Sequence, residues 1–388
     1  MNNDLFFQLL QIAIGTRDNL SFTPLKEEWM WAYELAEKQA MVGVCAYGIQ
    51  KLLNGKPISS DLSDTVLVFC SKDILYQWIG ITANIVVTNE KVNKQCVEVQ
   101  GRLKEAGLKS CILKGQGIAS LYQGALDNEQ GVTHLGMFRQ SGDIDVWVND
   151  SWQKVMVFVN SITPNKEFDS KHAHLNIFPD TPVELHWWPS VSTNPVVRFR
   201  MKQFYRSQSS IQCSNTITLS DKSNVITAPD PIFNSVYILL HIYGHFLYEG
   251  IGFRQLMDYY FTISSKEVQD KKNEIVKTYK SFGIYRFVKA LMFVMKSVFG
   301  LRDDKLLLEP DIARGEELLE EIMEGGNFGY AAKENKVSKE GIGERWVRHA
   351  KRRFRLIQYN AIGIVCSPYY RIKTEIWKRK VIKMYRIR

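Results

Sequence analysis

Asp143-Ile144-Asp145 opens the run Asp143 to Val148, and it restricts what this chain can fold into more than any other segment. Strand side chains alternate between faces, so Asp143 and Asp145 leave one face and Ile144, Val146 and Val148 the other. Two neighbouring carboxylates repel, and a divalent cation relieves that repulsion. Mg²⁺ is commonly held by one or two protein carboxylates, with substrate phosphates and waters completing the shell. The pair therefore points to phosphate chemistry. The competing reading is an edge strand whose polar residues face solvent.

A third carboxylate sharpens the choice. His172 to Phe178 alternates as a strand, turns at Pro179-Asp180-Thr181-Pro182 and returns as Val183 to Trp187, the pattern of a hairpin. Glu184 lies on the return strand, between Val183 and Leu185. If that hairpin lies beside 143–148, Asp143, Asp145 and Glu184 converge as metal ligands and can hold two Mg²⁺ ions. Asp180 is the alternative third ligand, on a less rigid turn.

Lys114-Gly115 follows the apolar run Lys109 to Leu113 and precedes a helical stretch from Ile118 to Tyr122. Glycine lets a backbone approach a phosphate, and Lys114 can meet a triphosphate as a point charge. The plainer reading is a strand-to-helix turn with a solvated lysine. The P-loop pattern GxxxxGK[ST] is absent. Arg139 and Ser141 precede the aspartates. They suit phosphate contact and a hydroxyl near the metal, or simple support of the turn.

Imidazole is a poor ligand for Mg²⁺, so His172, His174 and His186 are expected as hydrogen-bonded structural groups. His241 and His245 are spaced i,i+4 with Tyr237 and Tyr248 on the same face, but position 242 is Ile where a zinc protease has Glu. They are expected to line a cleft. Arg254 and Asp258, also i,i+4, are expected to pair with each other, with Arg254 a further candidate for nucleotide or acceptor.

The rest of the chain divides around this core. Residues 1–108 read as helical, with Val92, Cys96, Val99, Leu103 and Ala106 on one stripe and Gly107 as its stop. Residues 109–227 hold the strands, with 124–140 loop-like. Residues 228–340 read as helical again, entered at Asp230-Pro231 with Asp as cap and Pro as first helical residue. Residues 341–388 form a basic amphipathic segment.

The order strand, Lys-Gly, helix, Arg139-x-x-Gly142-Asp143-Ile144-Asp145, then Val183-Glu184-Leu185-His186-Trp187 resembles the bacterial nucleotidyltransferase family in the uncharacterised branch of the DNA-polymerase-β-like superfamily. The resemblance covers roughly residues 25–265. It extends to Glu28-Trp29 through Gln39 and to His241, His245 and Gly250 through Asp258. It implies an α+β fold: a polymerase-β-like core of mixed sheet and helices, flanked by N- and C-terminal helical segments. It also implies Mg²⁺-dependent transfer of a nucleoside monophosphate from an NTP, with Mn²⁺ as the substitute ion. Asp143, Asp145 and Glu184 would be catalytic ligands, and Lys114 with Gly115 would hold the triphosphate. Lys-Gly replaces the superfamily's Gly-Ser or Gly-Gly loop, which leaves the mode of phosphate binding open. The acceptor is not implied; small molecules, proteins and RNA ends all qualify. A catalytically silent relative that binds a nucleotide or partner is the alternative.

The six cysteines are scattered without a CxxC pair, which suggests reduced thiols and a cytoplasmic location. Residues 341–388 carry 14 Lys and Arg against 2 Asp and Glu, so the net charge of +9 conceals a +12 segment on a remainder of −3. Three readings fit this segment: an apolar face docked on the protein with its charges solvated, which is the first expectation; an anionic membrane surface, placing the protein peripherally at the inner membrane; or a nucleic-acid backbone.

Overall fold

A computed structural model describes residues 3–53, 72–128, 131–163, 167–327 and 342–385. Four helices come first: α1 (Asp4–Ile14), α2 (Lys26–Lys38), α3 (Val42–Leu52) and the long α4 (Lys72–Glu105). Val92, Cys96, Val99 and Leu103 of the expected stripe are buried, while Ala106 lies beyond the helix and is exposed. Gly107, at φ +73°, ends α4: its N–H donates to Lys104 and that of Leu108 to Leu103, the closure that a left-handed residue provides.

The central sheet follows. Strands β1 (Ser110–Ile112), β4 (Ile144–Val148), β5 (His172–His174) and β6 (Val183–His186) stand in the order β1-β4-β6-β5. β1 and β4 are antiparallel, β4 and β6 parallel, and β5 and β6 antiparallel. The fold is thus mixed α+β. β4 is an inner strand with every residue buried, which overturns the reading of a solvated edge strand. Between β1 and β4 lie α5 (Gln116–Ala119), the hairpin β2 (Ala125–Asn128) and β3 (Gly131–His134), and a 3₁₀ turn, Leu135–Phe138. The loop expected over 124–140 is therefore largely structured. The hairpin pairs only with itself and carries few apolar residues, so it leaves no alternating signature; the turn after it buries Leu135, Met137 and Phe138.

Helix α6 (Trp152–Ile162) leaves β4, and α7 (Pro195–Gln212) leads to a second hairpin, β7 (Thr216–Thr218) and β8 (Val225–Thr227). Then come α8 (Pro231–Tyr248), α9 (Phe253–Ser264), α10 (Lys266–Asp270), α11 (Lys272–Ser281), α12 (Tyr285–Phe299) and α13 (Ile312–Gly325). Asp230 caps α8 by accepting from the Phe233 N–H, with Pro231 at its first position, as the sequence indicates. The last helix, α14 (Ile342–Met384), is broken at Asn360, whose φ of −149° and ψ of 55° lie outside helical values.

Two apolar clusters grip the sheet. Ile112, Ile144, Val146, Val148, Val183 and Leu185 pack with α6 and the C-terminal half of α4. Cys111, Leu113 and Trp147 of the opposite face join the larger helical core, where Trp147 stacks on Phe233 of α8. Asp145, Glu184 and His186 share that second face. The candidate site therefore sits where the sheet meets α8 and α9.

Candidate active site

Register brings the carboxylates together. Asp145 on β4 is directly opposite Glu184 on β6. Asp143 comes one turn of the pleat earlier, just before β4. The set is graded in exposure, with the side chains of Asp145, Glu184 and Asp143 exposed to 2%, 18% and 32%. One edge is therefore dry and the other open. Asp180 is not gathered in; it pairs with Lys91 and Gln95 of α4.

Lys114 bridges the two aspartates, with Nζ 2.8 Å from Asp145 Oδ2 and 3.4 Å from Asp143 Oδ2. Burial pushes Asp143 up, yet Lys114 holds its carboxyl below the ordinary carboxylate range. Gly115 follows at φ +59°, ψ −112°, a conformation that an L side chain resists. That turn is what aims Lys114 back at the carboxylates.

His186 completes the inner wall. Its Nε2 lies 2.8 Å from Asp145 Oδ1 and 3.2 Å from Glu184 Oε2. Burial holds the imidazole below its ordinary range, so it stays neutral and its Nε2–H points between two acceptors. Burial works the other way on Glu184, but the His186 hydrogen bond leaves its carboxyl well below the usual range. His172 Nδ1 and His174 Nε2 approach the same carboxylate at 3.2 and 3.8 Å. All three imidazoles thus stand on the carboxylate cluster.

Arg139 borders the pocket, but its guanidinium is committed to Asp258. Its Nε and Nη2 each donate to Asp258 at 2.7 Å, and the Tyr122 hydroxyl donates to the same carboxylate at 2.8 Å. The expected Arg254–Asp258 pair gives way to this buried fork, because both Asp258 oxygens are taken by Arg139. Arg254 instead donates to the carbonyls of Gln140 and Ser141 at 3.0 and 3.4 Å. Ser141 thus contributes a carbonyl that fixes the approach to Asp143. Asn89 and Asn93, i,i+4 on α4, and Gln116 do related work: buried Asn89 donates to the carbonyls of Met137 and Arg139, both at 2.8 Å, and Gln116 ties Asn89 to Asn93. The one sequence signal of the two asparagines is their i,i+4 spacing beside an apolar stripe.

A pocket opens on the cluster, lined by Lys114, Gly115, Asp143, Tyr237, His241 and Arg254 among others. His241 and His245 meet at 3.1 Å between their Nε2 atoms, and His245 Nδ1 reaches Glu249 at 2.8 Å. His241 lines the pocket, as expected, and His245 stands behind it on the same helix.

Carboxylates on adjoining strands, a lysine across them and a pocket beside them can hold a cation together with an anionic substrate. The comparisons are specific: residues 26–300 match the family model described as uncharacterised nucleotidyltransferase, and the chain belongs to that family. Neither the curated proteins nor the solved structures contain a match.

Proposed function

We propose that the protein transfers a nucleoside monophosphate from an NTP to an acceptor hydroxyl with Mg²⁺, on a polymerase-β-like core. The observation that carries this reading is the Asp145–Glu184 register, with Lys114 lodged against both aspartates. An ammonium already sits between Asp143 and Asp145, so the donor set accepts a cation, and its oxygens suit a hard ion. Asp143 and Asp145 would hold both metals, and Glu184 would complete the catalytic one. When bound, Mg²⁺ supplies charge neutralisation at the phosphates and acidifies the acceptor hydroxyl.

The chain's own residues do the positioning. Glu184 would face the acceptor oxygen and, as a ligand of the catalytic ion, favour loss of its proton to water. That oxygen bonds to the α-phosphorus, the bond to the β-phosphate bridge breaks, and pyrophosphate leaves. Lys114 releases the aspartates and follows the triphosphate, while the Gly115 turn leaves room for phosphate beside the backbone. Arg254 and Ser141 hold the segment before Asp143, and Arg139 anchors it to α9. His186 keeps Asp145 and Glu184 at fixed separation.

Incubation with each α-labelled NTP, Mg²⁺ and candidate sugar phosphates, proteins and RNA ends tests this. Asp143→Ala/Asp145→Ala should abolish label transfer; transfer that persists in the double variant would sink the assignment. Mg²⁺-dependent NTP binding without transfer to any acceptor favours the silent relative.

The last helix carries a separate reading. Trp377 packs on Trp152, Phe168 and Trp187, and Val381 is buried, as the first expectation for 341–388 requires. The outer face is not solvated charge alone: Ile362, Val365, Tyr369, Ile372 and Ile376 stand exposed at spacings of three and four. Arg371, Lys373, Lys378, Arg379, Lys380 and Lys383 flank this line, with Glu375 as the acidic exception. An apolar line between cations favours an anionic membrane surface over a nucleic-acid backbone, which gains little from exposed isoleucines. No helix among the described residues is long and apolar enough to cross a membrane. The basic residues of 345–355 extend the same charge in the sequence; their side chains lie outside the described residues.

A further inference from the structure

We propose that His172, His174 and Glu184 form a second cation site, taking a borderline transition ion such as Zn²⁺ or Co²⁺ beside the carboxylate site. The register creates it. His172 and His174 are i,i+2 on β5, so both leave the same face. β5 lies antiparallel to β6 with His174 opposite Glu184 and His172 opposite His186. One ligand atom from each of His172, His174 and Glu184 lies within 4.8 Å of the others. His172 Nδ1 is 3.2 Å from Glu184 Oε2, and His174 Nε2 is 3.8 Å from Oε1. Ligands about 2.0–2.2 Å from a tetrahedral ion stand roughly 3.4 Å apart, so a small inward adjustment closes the set.

The chemistry of the donors selects the ion. Two imidazoles and one carboxylate suit Zn²⁺, Fe²⁺ or Co²⁺, whereas Mg²⁺ prefers oxygen and keeps its waters. The site is reachable: β5 is the edge strand of the sheet, and the His174 side chain is about one-third exposed. Three protein ligands leave room for water or substrate. A supporting layer is present as well. His186 fixes Glu184 from the buried side. Glu184 is common to both sites, so an ion on the histidines draws charge from the carboxylate site. The inference uses the proposed function only for that consequence; the cation site itself stands on the strand register.

The full chain, stripped by chelator, is titrated with Co²⁺ without nucleotide, reading the visible absorption band and calorimetric heat. Saturable binding that survives excess Mg²⁺ is expected. His172→Ala/His174→Ala should weaken it beyond the ~10–100-fold that losing a supporting partner costs. Asp143→Ala/Asp145→Ala should keep the band even though nucleotide transfer is lost. Circular dichroism monitors folding, and His174→Gln, which keeps a polar side chain of similar reach, serves as the second variant. Unchanged Co²⁺ affinity in folded His174→Gln and in the double histidine variant overturns the proposal. So does loss of the band in the aspartate variant alone.

Discussion

Asp145 and His186 share a 2.8 Å hydrogen bond across the parallel pair β4–β6, with both side chains 2% exposed. A buried carboxylate without compensation is costly. Asp145 has two partners, the neutral His186 on one oxygen and Lys114 on the other. One ammonium against the three carboxylates Asp143, Asp145 and Glu184 leaves the cluster net negative, with Asp145 itself compensated on both oxygens.

Lys114→Met removes the one ammonium lodged against Asp143 and Asp145. Unfolding free energy without divalent ions should fall by about 1–3 kcal/mol, less than for a fully buried pair because Lys114 is partly exposed. Added Mg²⁺ should return much of that loss, since it takes the same place. Thermal melts with and without Mg²⁺ check this; a variant as stable as the parent in chelator contradicts that stabilising role of Lys114.

The Arg139–Asp258 fork holds the segment leading to Asp143. Asp258→Asn leaves a buried guanidinium without its counter-ion, at a cost of about 3–5 kcal/mol. Arg254→Ala removes hydrogen bonds to two carbonyls and should cost about 1–3 kcal/mol. Urea titrations of both variants should rank them in that order.

Acid should destabilise the protein through its histidines. Burial, with Lys114 and His245 adding to it, holds His241 well below the ordinary imidazole range, and burial followed by His186 takes His172 down to about 3. Both are neutral when folded, whereas the unfolded chain protonates them near pH 6.5. Below that pH the unfolded state binds more protons, so stability falls with each step down, by up to about 1.4 kcal/mol per pH unit for each group. For His172 the loss continues until pH approaches its folded value. Denaturation curves at pH 7.5, 6 and 5 measure this slope, and His241→Gln should flatten it.

Ile372→Glu places an acid within the exposed line on α14, away from the docked Trp377. Binding to vesicles rich in phosphatidylserine should drop severalfold or more while the melting temperature stays within the small range of surface changes. Flotation at low and high salt reads this. Equal flotation of variant and parent removes the membrane reading, and retention on RNA instead supports the nucleic-acid one.

Period and local chemistry were readable along the chain. Val92 to Leu103 declared a helix face, Asp230-Pro231 a helix start, and the Asp-Ile-Asp run a strand with two acids on one side, because these signals repeat within a few residues. Glu184 was recognisable as a partner because strand alternation fixed its face. What the sequence could not carry was which strands adjoin: the burial of β4, the Asp145–Glu184 register and the choice of Arg139 by Asp258 join residues 39 and 119 positions apart. The hairpin 125–134 was hidden because it pairs with itself, and the outward line of α14 because one helix face docks while its opposite is equally apolar. Sequence determined the elements and the acids they present, since helix and strand periods are local. Tertiary structure alone decided which charges meet, since a buried charge takes whichever partner the packing brings within reach.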